Sequence, residues 1–278
     1  MKNRILTGLA AAALVVALVS FLPAVALASV IAMIFAVGGY EWASLSTINS
    51  RPLKILYALV LLGLMGAGIH YFQLLGEVNV ASFMGLMHLA GVFWAIVLLW
   101  VMSYPGSAAI WSHPLFIGCM GVIVIVPPVL ALVYLLQFSM GNWLVFYLVA
   151  LVSSADTGAY FFGKFLGKKK LCPKVSPGKS WMGLVGGLIA SSAFSLAWYY
   201  LSPALPGLSL VPFVLVGIVT VLFSVLGDLM ESMVKRQAGK KDSGSILPGH
   251  GGIMDRLDSM TAAAPIYLLL LLLIMGQQ

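Results

Sequence analysis

Charged side chains are scarce in this sequence: Asp, Glu, Lys and Arg make up 8% of its 278 residues, against roughly 25% in a soluble domain. With 62% apolar residues and a mean hydropathy of +1.07, that scarcity excludes an ordinary water-soluble fold. Alternation of polar and apolar residues is missing as well, and the apolar stretches are continuous, which excludes a membrane β-barrel. Cysteine is rare. Cys119 and Cys172 have no metal-ligand partner nearby in the sequence, so neither a disulfide nor a zinc site is expected. No internal repeat is visible, which argues against folds built from duplicated halves. Nothing points to nucleic acid as a partner.

Long apolar runs are what the sequence has instead. A hydrocarbon core of about 30 Å takes about 20 residues of helix, and the chain is expected to be an all-α, polytopic membrane protein of about nine helices. The predicted spans are 5–21, 24–40, 53–75, 79–103, 114–137, 142–164, 181–202, 209–234 and 259–275, separated by glycine, proline and charge. Lys2 and Arg4, then an apolar run ending in Ala26-Leu27-Ala28-Ser29, have the look of a cleavable leader. The apolar character nevertheless continues to Val37, so two retained helices hinged at Leu22-Pro23 are expected. Pro127-Pro128 should kink the fifth span.

The excess of Lys and Arg (15 against 8 acids, net +7) gains meaning from its distribution. With nine spans and the N-terminus inside, Lys2, Arg4, Arg51, Lys54, the Lys164–Lys179 loop and the Lys235–Arg256 loop all fall on the inner side. The outer segments keep Glu77 and no cation. The positive-inside rule then gives an N-in, C-out chain with both basic loops in the cytoplasm. Trp42, Trp100, Trp111, Trp143 and Trp181 fall near predicted span ends, where an interfacial aromatic belt accounts for them.

Acids inside spans are costly unless paired or hydrated. Asp156 lies in the sixth span, and Asp228 and Glu231 in the eighth. Asp156 and Asp228 are expected about 10–12 Å from the basic end at 1.5 Å per residue, at one depth, so that a single cation is within reach of both helices. Asp228, Glu231, Ser232 and Lys235 follow i, i+3, i+4, i+7 spacing and form one polar face. A metal or active-site lining is the reading adopted; a buried ion pair or proton relay is the alternative. In the loop before the seventh span, Ser176, Lys179 and Ser180 precede a helix N-terminus, a place suited to anions. Lys168-Lys169-Lys170 reads as a topogenic or lipid-surface cluster.

The segment Ser232–Asp258 is the densest in function-bearing groups. It holds Lys235, Arg236, Lys240, Lys241 and Arg256 for phosphate charge, and Asp242, Asp255 and Asp258 as acids. His250, Gly251 and Gly252 lie in a run permitting tight backbone approach. Carboxylate oxygens suit magnesium, which usually bridges to substrate phosphates. His250 reads as a general base or a hydrogen-bond donor to phosphate. Asp242 and Asp258 read as metal ligands or as helix caps and ion-pair partners.

This segment, from Ser232 and Lys235-Arg236 through Lys241-Asp242 to Pro248-Gly249-His250-Gly251-Gly252 and Asp255-Arg256-Leu257-Asp258, resembles the phosphatidate cytidylyltransferase family. So do Ala155-Asp156-Thr157-Gly158-Ala159-Tyr160, Ser176-Pro177-Gly178-Lys179-Ser180 and Gly227-Asp228-Leu229 with Glu231-Ser232. The resemblance covers 141–278 strongly and the first half mainly by hydropathy. It implies two regions: 1–140, of lipid-facing and packing helices, and 141–278, the catalytic region. It implies coupling of phosphatidic acid with CTP to give CDP-diacylglycerol and pyrophosphate at a bacterial inner membrane, with magnesium and room for a second cation, in a homodimer. On that basis Asp228 and Asp255 bind metal, with Asp156 and Glu231 as further ligands. Lys235, Arg236, Lys241 and Arg256 neutralise phosphate, while Ser176, Lys179, Ser180, Ser232, His250, Gly251 and Gly252 bind it. Met182 stands where many members carry an acid. An ion-coupled transporter, suggested by the intramembrane acids with His70 and His88, and a CTP-dependent polyprenol kinase are the rivals. Against the transporter, the acids crowd the inner end and the two histidines read as interhelical hydrogen-bonders.

Overall fold

The computed structural model describes residues 15–139, 141–202, 208–246 and 251–276. The chain is all-α with one small hairpin. Its helices are α1 (Ala24–Leu45), α2 (Arg51–Tyr71), α3 (Val80–Ser103), the single turn α4 (Ala108–Trp111), α5 (Pro114–Leu135), α6 (Gly141–Leu166), α7 (Trp181–Leu201), α8 (Leu210–Gln237) and α9 (Met254–Met275). Between α6 and α7 lie β1 (Lys170–Cys172) and β2 (Ser176–Ser180), paired antiparallel with Lys170 opposite Ser180 and an irregularity before Cys172. Among the described residues, eight helices are long and apolar enough to cross a bilayer. The first expected span lies largely outside the described residues, and its described part, 15–21, is helical.

Local chemistry sets the helix starts. Proline stands in the first turn of α2 and of α5, where its missing N–H costs nothing. Asn79 accepts a bond from Ser82 N (3.2 Å) at the start of α3. Pro127 and Pro128 sit inside α5 without breaking it. The expected last span begins earlier than its apolar run: α9 opens at Met254, so Asp255, Arg256 and Asp258 stand on its first turns.

The centre of the bundle is α5 and α9, the most buried of the spanning helices. Around them α2 and α3 present Leu56, Leu59, Leu89 and Leu99 outward, the faces a bilayer would solvate. Helices α6 and α7 meet through small residues: a Cβ on Gly158 would collide with the Gly186 carbonyl and with Ala190. Trp42 and Trp111 are fully buried, with Trp42 Nε1 donating to Ile117 O (2.8 Å) and Trp111 Nε1 to Ser107 Oγ (3.3 Å). They are packing residues, not part of an interfacial belt. His70 and His88 are exposed, and His88 bonds Met84 O of its own helix (2.8 Å), not a neighbouring helix as expected.

Two ends can be told apart. At one, Lys240 donates to Ser44 O (2.7 Å), tying the α8–α9 loop to the end of α1, and Arg236 Nε donates to Val175 O (3.3 Å), tying α8 to the hairpin. At the other, Gln137 after α5 bonds Leu74 O after α2.

Candidate active site

The polar face of α8 forms as its spacing requires. Ser232 Oγ donates to Asp228 Oδ1 (3.3 Å), and Lys235 Nζ donates to Glu231 Oε2 (2.5 Å) one turn back. Lys235 also reaches Asp255 Oδ1 on α9 (2.6 Å), so one ammonium joins two helices. The side chains of Lys235 and Glu231 are 10% and 1% exposed. Gly227 lets α8 and α9 approach here, because a Cβ would strike the Asp258 carbonyl.

The hairpin brings the second lysine. Lys179 Nζ lies 2.7 Å from Asp228 Oδ2 and donates to Val225 O (3.3 Å). Ser180 Oγ accepts from Gly183 N (3.1 Å) and caps α7, which leaves its O–H free to donate. Ser176 is half-buried in β2 opposite Cys172. Burial pushes the Cys172 thiol up and the nearby Lys179 opposes that. A hairpin in the loop was not anticipated, and it fixes Lys179 over α8.

At the start of α9, Asp255 is heavily engaged. Besides Lys235, it accepts from Ser243 N (3.1 Å to each oxygen) and from Gly252 N (2.7 Å). Gly251 has φ +80, and a Cβ there would lie 2.7 Å from Asp255 Oδ2, so this glycine serves both the turn and the close approach. Asp258 lies within electrostatic reach of Asp228, Glu231 and Lys179. Asp156, from α6, lies within reach of Asp228, Lys179 and Arg256.

The fold thus draws Asp156, Lys179, Asp228, Glu231, Ser232, Lys235, Asp255 and Arg256 into one region. Lys241 and Asp242 stand exposed on the loop, as does Arg236 at the end of α8. Burial, with Lys54 nearby, lowers the Lys240 ammonium below the usual lysine range. His250 lies outside the described residues. Sequence reasoning passed over Glu41 and Ser243. Glu41, on α1, accepts from Met254 N (2.8 Å) and Ser243 Oγ (3.4 Å).

Magnesium is the cation implied by the resemblance. Among the described residues, no three Asp, Glu, His or Cys side chains group to hold a metal by themselves. The donor set nonetheless fits one. It is all oxygen, with Asp156, Asp228, Glu231, Asp255 and Asp258 facing Lys179, Lys235 and Arg256, and Glu231 Oε1 is buried without a hydrogen-bond partner. Magnesium needs only one or two carboxylates beside water and phosphate. Asp156 is exposed and Asp228 has its side chain 30% exposed, so these two are more available than the nearly buried Glu231.

The model of the cytidylyltransferase family matches residues 2–274. A phosphatidate cytidylyltransferase of Pseudomonas aeruginosa is 40% identical over 271 residues, 98% of this chain and 97% of that protein. Another, of Haemophilus influenzae, is 42% identical over 184 residues, 63% of this chain and 64% of the relative. One of Staphylococcus aureus is 44% identical over 136 residues, 48% and 51% of the two chains. A family match running almost end to end, joined to a relative that aligns over nearly the whole length, shows that this chain belongs to the cytidylyltransferase family.

Proposed function

We propose that this chain is a multi-pass membrane enzyme that transfers CMP from CTP to phosphatidic acid, giving CDP-diacylglycerol and pyrophosphate. The observation that carries the reading is the pair of lysines, Lys179 and Lys235, held on carboxylates of α8 and α9 at one end of the bundle. A phosphate oxygen of the lipid attacks the α-phosphorus of CTP, and the bond to the bridging oxygen of the β-phosphate breaks. The nucleophile is already anionic, so no strong base is required. Positioning and charge neutralisation supply the catalysis, as in phosphoryl transfer generally.

In this scheme Lys179 and Lys235 exchange a carboxylate oxygen for a phosphate oxygen when the triphosphate enters. Arg236, Lys241 and Arg256 add cationic charge, and Ser176, Ser180, Ser232, His250 and the Gly251-Gly252 amides complete the phosphate contacts. A bound magnesium ion would supply charge neutralisation to the triphosphate and the leaving pyrophosphate, held by Asp228 and Asp255 with Glu231 and Asp156 as further ligands. Ligation through Asp255 requires it to give up part of the hydrogen bonding it makes to Lys235, Ser243 and Gly252.

An apolar groove of about 680 Å³, lined by Leu98, Met102, Leu171, Trp181, Leu226 and Leu229 among others, adjoins the site. Val225, which also lines it, gives its carbonyl to Lys179. We assign this groove to the acyl chains of phosphatidic acid, which would place the headgroup beside Asp228. The bacterial inner membrane, a cytoplasmic site and a homodimer belong to the same reading. Purified protein incubated with phosphatidic acid and CTP labelled at the α- or the γ-phosphate tests it. Label from the α-position alone should enter lipid; γ-label would mean a lipid kinase, and no label in lipid would sink the enzyme reading.

A further inference from the structure

Glu41 belongs to the half of the chain that the sequence reads as packing helices, yet it is 2% exposed and reaches the catalytic loop. A buried carboxylate persists only where hydrogen bonds or charges compensate it. Here Oε2 takes the amide of Met254, the first residue of α9, and the hydroxyl of Ser243. No side chain of the neighbouring N-cap residue, Ile253, caps α9, so a carboxylate from another helix meets N–H groups that would otherwise lack partners. The loop is shaped around it: a Cβ on Gly244 or on Gly252 would run into the Glu41 carboxylate.

The contacts continue without a gap. Ser243 bonds Glu41 through its hydroxyl and Asp255 through its amide, Asp255 holds Lys235, and Lys235 holds Glu231. Lys240 fastens the same loop to Ser44, three residues beyond Glu41. We propose that Glu41 is a positioning residue for the nucleotide end of the site, fixing the α8–α9 loop so that Asp255 and Lys235 face the incoming triphosphate. This rests on the function proposed above for what the site binds, but the latch itself does not depend on it.

The test compares Glu41→Ala with Glu41→Gln in the full chain in detergent, with two readouts: KM for CTP and for phosphatidic acid, and hydrogen exchange at the amides of Ser243 and Met254. Leaving the Met254 amide without its acceptor should raise the KM for CTP about tenfold in Glu41→Ala and speed exchange at both amides. The KM for phosphatidic acid should move far less. Glutamine keeps an acceptor for Met254 N–H and should bring the KM for CTP back to within about threefold of the parent. An unchanged KM for CTP in Glu41→Ala, or unchanged exchange, overturns the proposal. Equal losses in the two variants overturn it too, because they would assign the effect to negative charge and not to the hydrogen bonds. Should Glu41→Ala fail to extract, Ser243→Ala, expected to give a smaller shift in the same direction, decides between the same outcomes. A parent chain that shows no transfer while Glu41→Ala still loosens the Met254 amide would defeat the functional reading and leave the latch standing.

Discussion

Lys235 carries two carboxylates on one ammonium, and removing it exposes how stability and function divide. Lys235→Met leaves Glu231 buried and unpaired, with Oε1 already lacking a partner. Breaking such a buried pair costs about 3–5 kcal/mol, which should appear as a clear drop in the midpoint of thermal unfolding in detergent. Adding Glu231→Leu removes the stranded charge and should recover much of that midpoint without recovering turnover. If turnover returns with the double variant, Lys235 serves the fold alone. Asp228→Asn should abolish turnover while leaving expression and extraction normal, since the Asn side chain can keep the Ser232 contact. Lys168→Ala should be mild in the same assay; a loss as deep as that of Lys235→Ala would contradict the lipid-surface reading of the lysine triplet. Asp228 and Lys235 could be found from the sequence because acids are rare in spans and because helical spacing ties them together. Glu41 could not. It sits at a span end, where a charge needs no explanation, and its partners are about two hundred residues away in the chain.

At the scale of elements, α6 and α7 with the hairpin between them act as the arm that carries Lys179 and Asp156. Their close approach depends on Gly158 lying against the Gly186 backbone. Gly158→Leu should therefore separate the helices, lower the unfolding midpoint and reduce turnover, whereas Gly178→Ala, where a Cβ meets nothing within 4 Å, should leave the midpoint unchanged. Equal midpoints for the two variants would show that this helix contact is not what holds the arm. The eight long described helices were legible because bilayer thickness dictates their length and apolarity. The hairpin was not, since β1 and β2 are three and five residues long and contain Pro177 and Gly178, residues that read as loop. The apolar part of the last helix was expected from residue 259, while Asp255-Arg256-Leu257-Asp258 read as opening that helix, as α9 from Met254 does. Hydropathy marks where a helix enters lipid, and Met254–Asp258 form a polar first turn whose helical state depends on the Glu41 cap and on packing against α8.

For the whole molecule, the arrangement of ends decides whether the two basic segments can serve one reaction. Four spanning helices, α2, α3, α5 and α6, separate the α1–α2 connection from the hairpin, so an even number of crossings returns the chain to its starting side. The Lys240–Ser44 and Arg236–Val175 contacts tie the end of α1 and the hairpin to the same end of α8. Glu77, between α2 and α3, belongs to the opposite side by the same count. With Cys119 and Cys172 replaced by Ser, single cysteines at 168, 241 and 77 should therefore divide into two classes. Those at 168 and 241 should react with a membrane-impermeant maleimide only in inverted vesicles, and that at 77 only in intact cells stripped of their outer barrier. Labelling of 168 and 241 from opposite sides would break the site apart. Labelling of both from outside would keep the site whole but remove it from the compartment that supplies CTP, because the positive-inside bias and the substrate's location would then disagree.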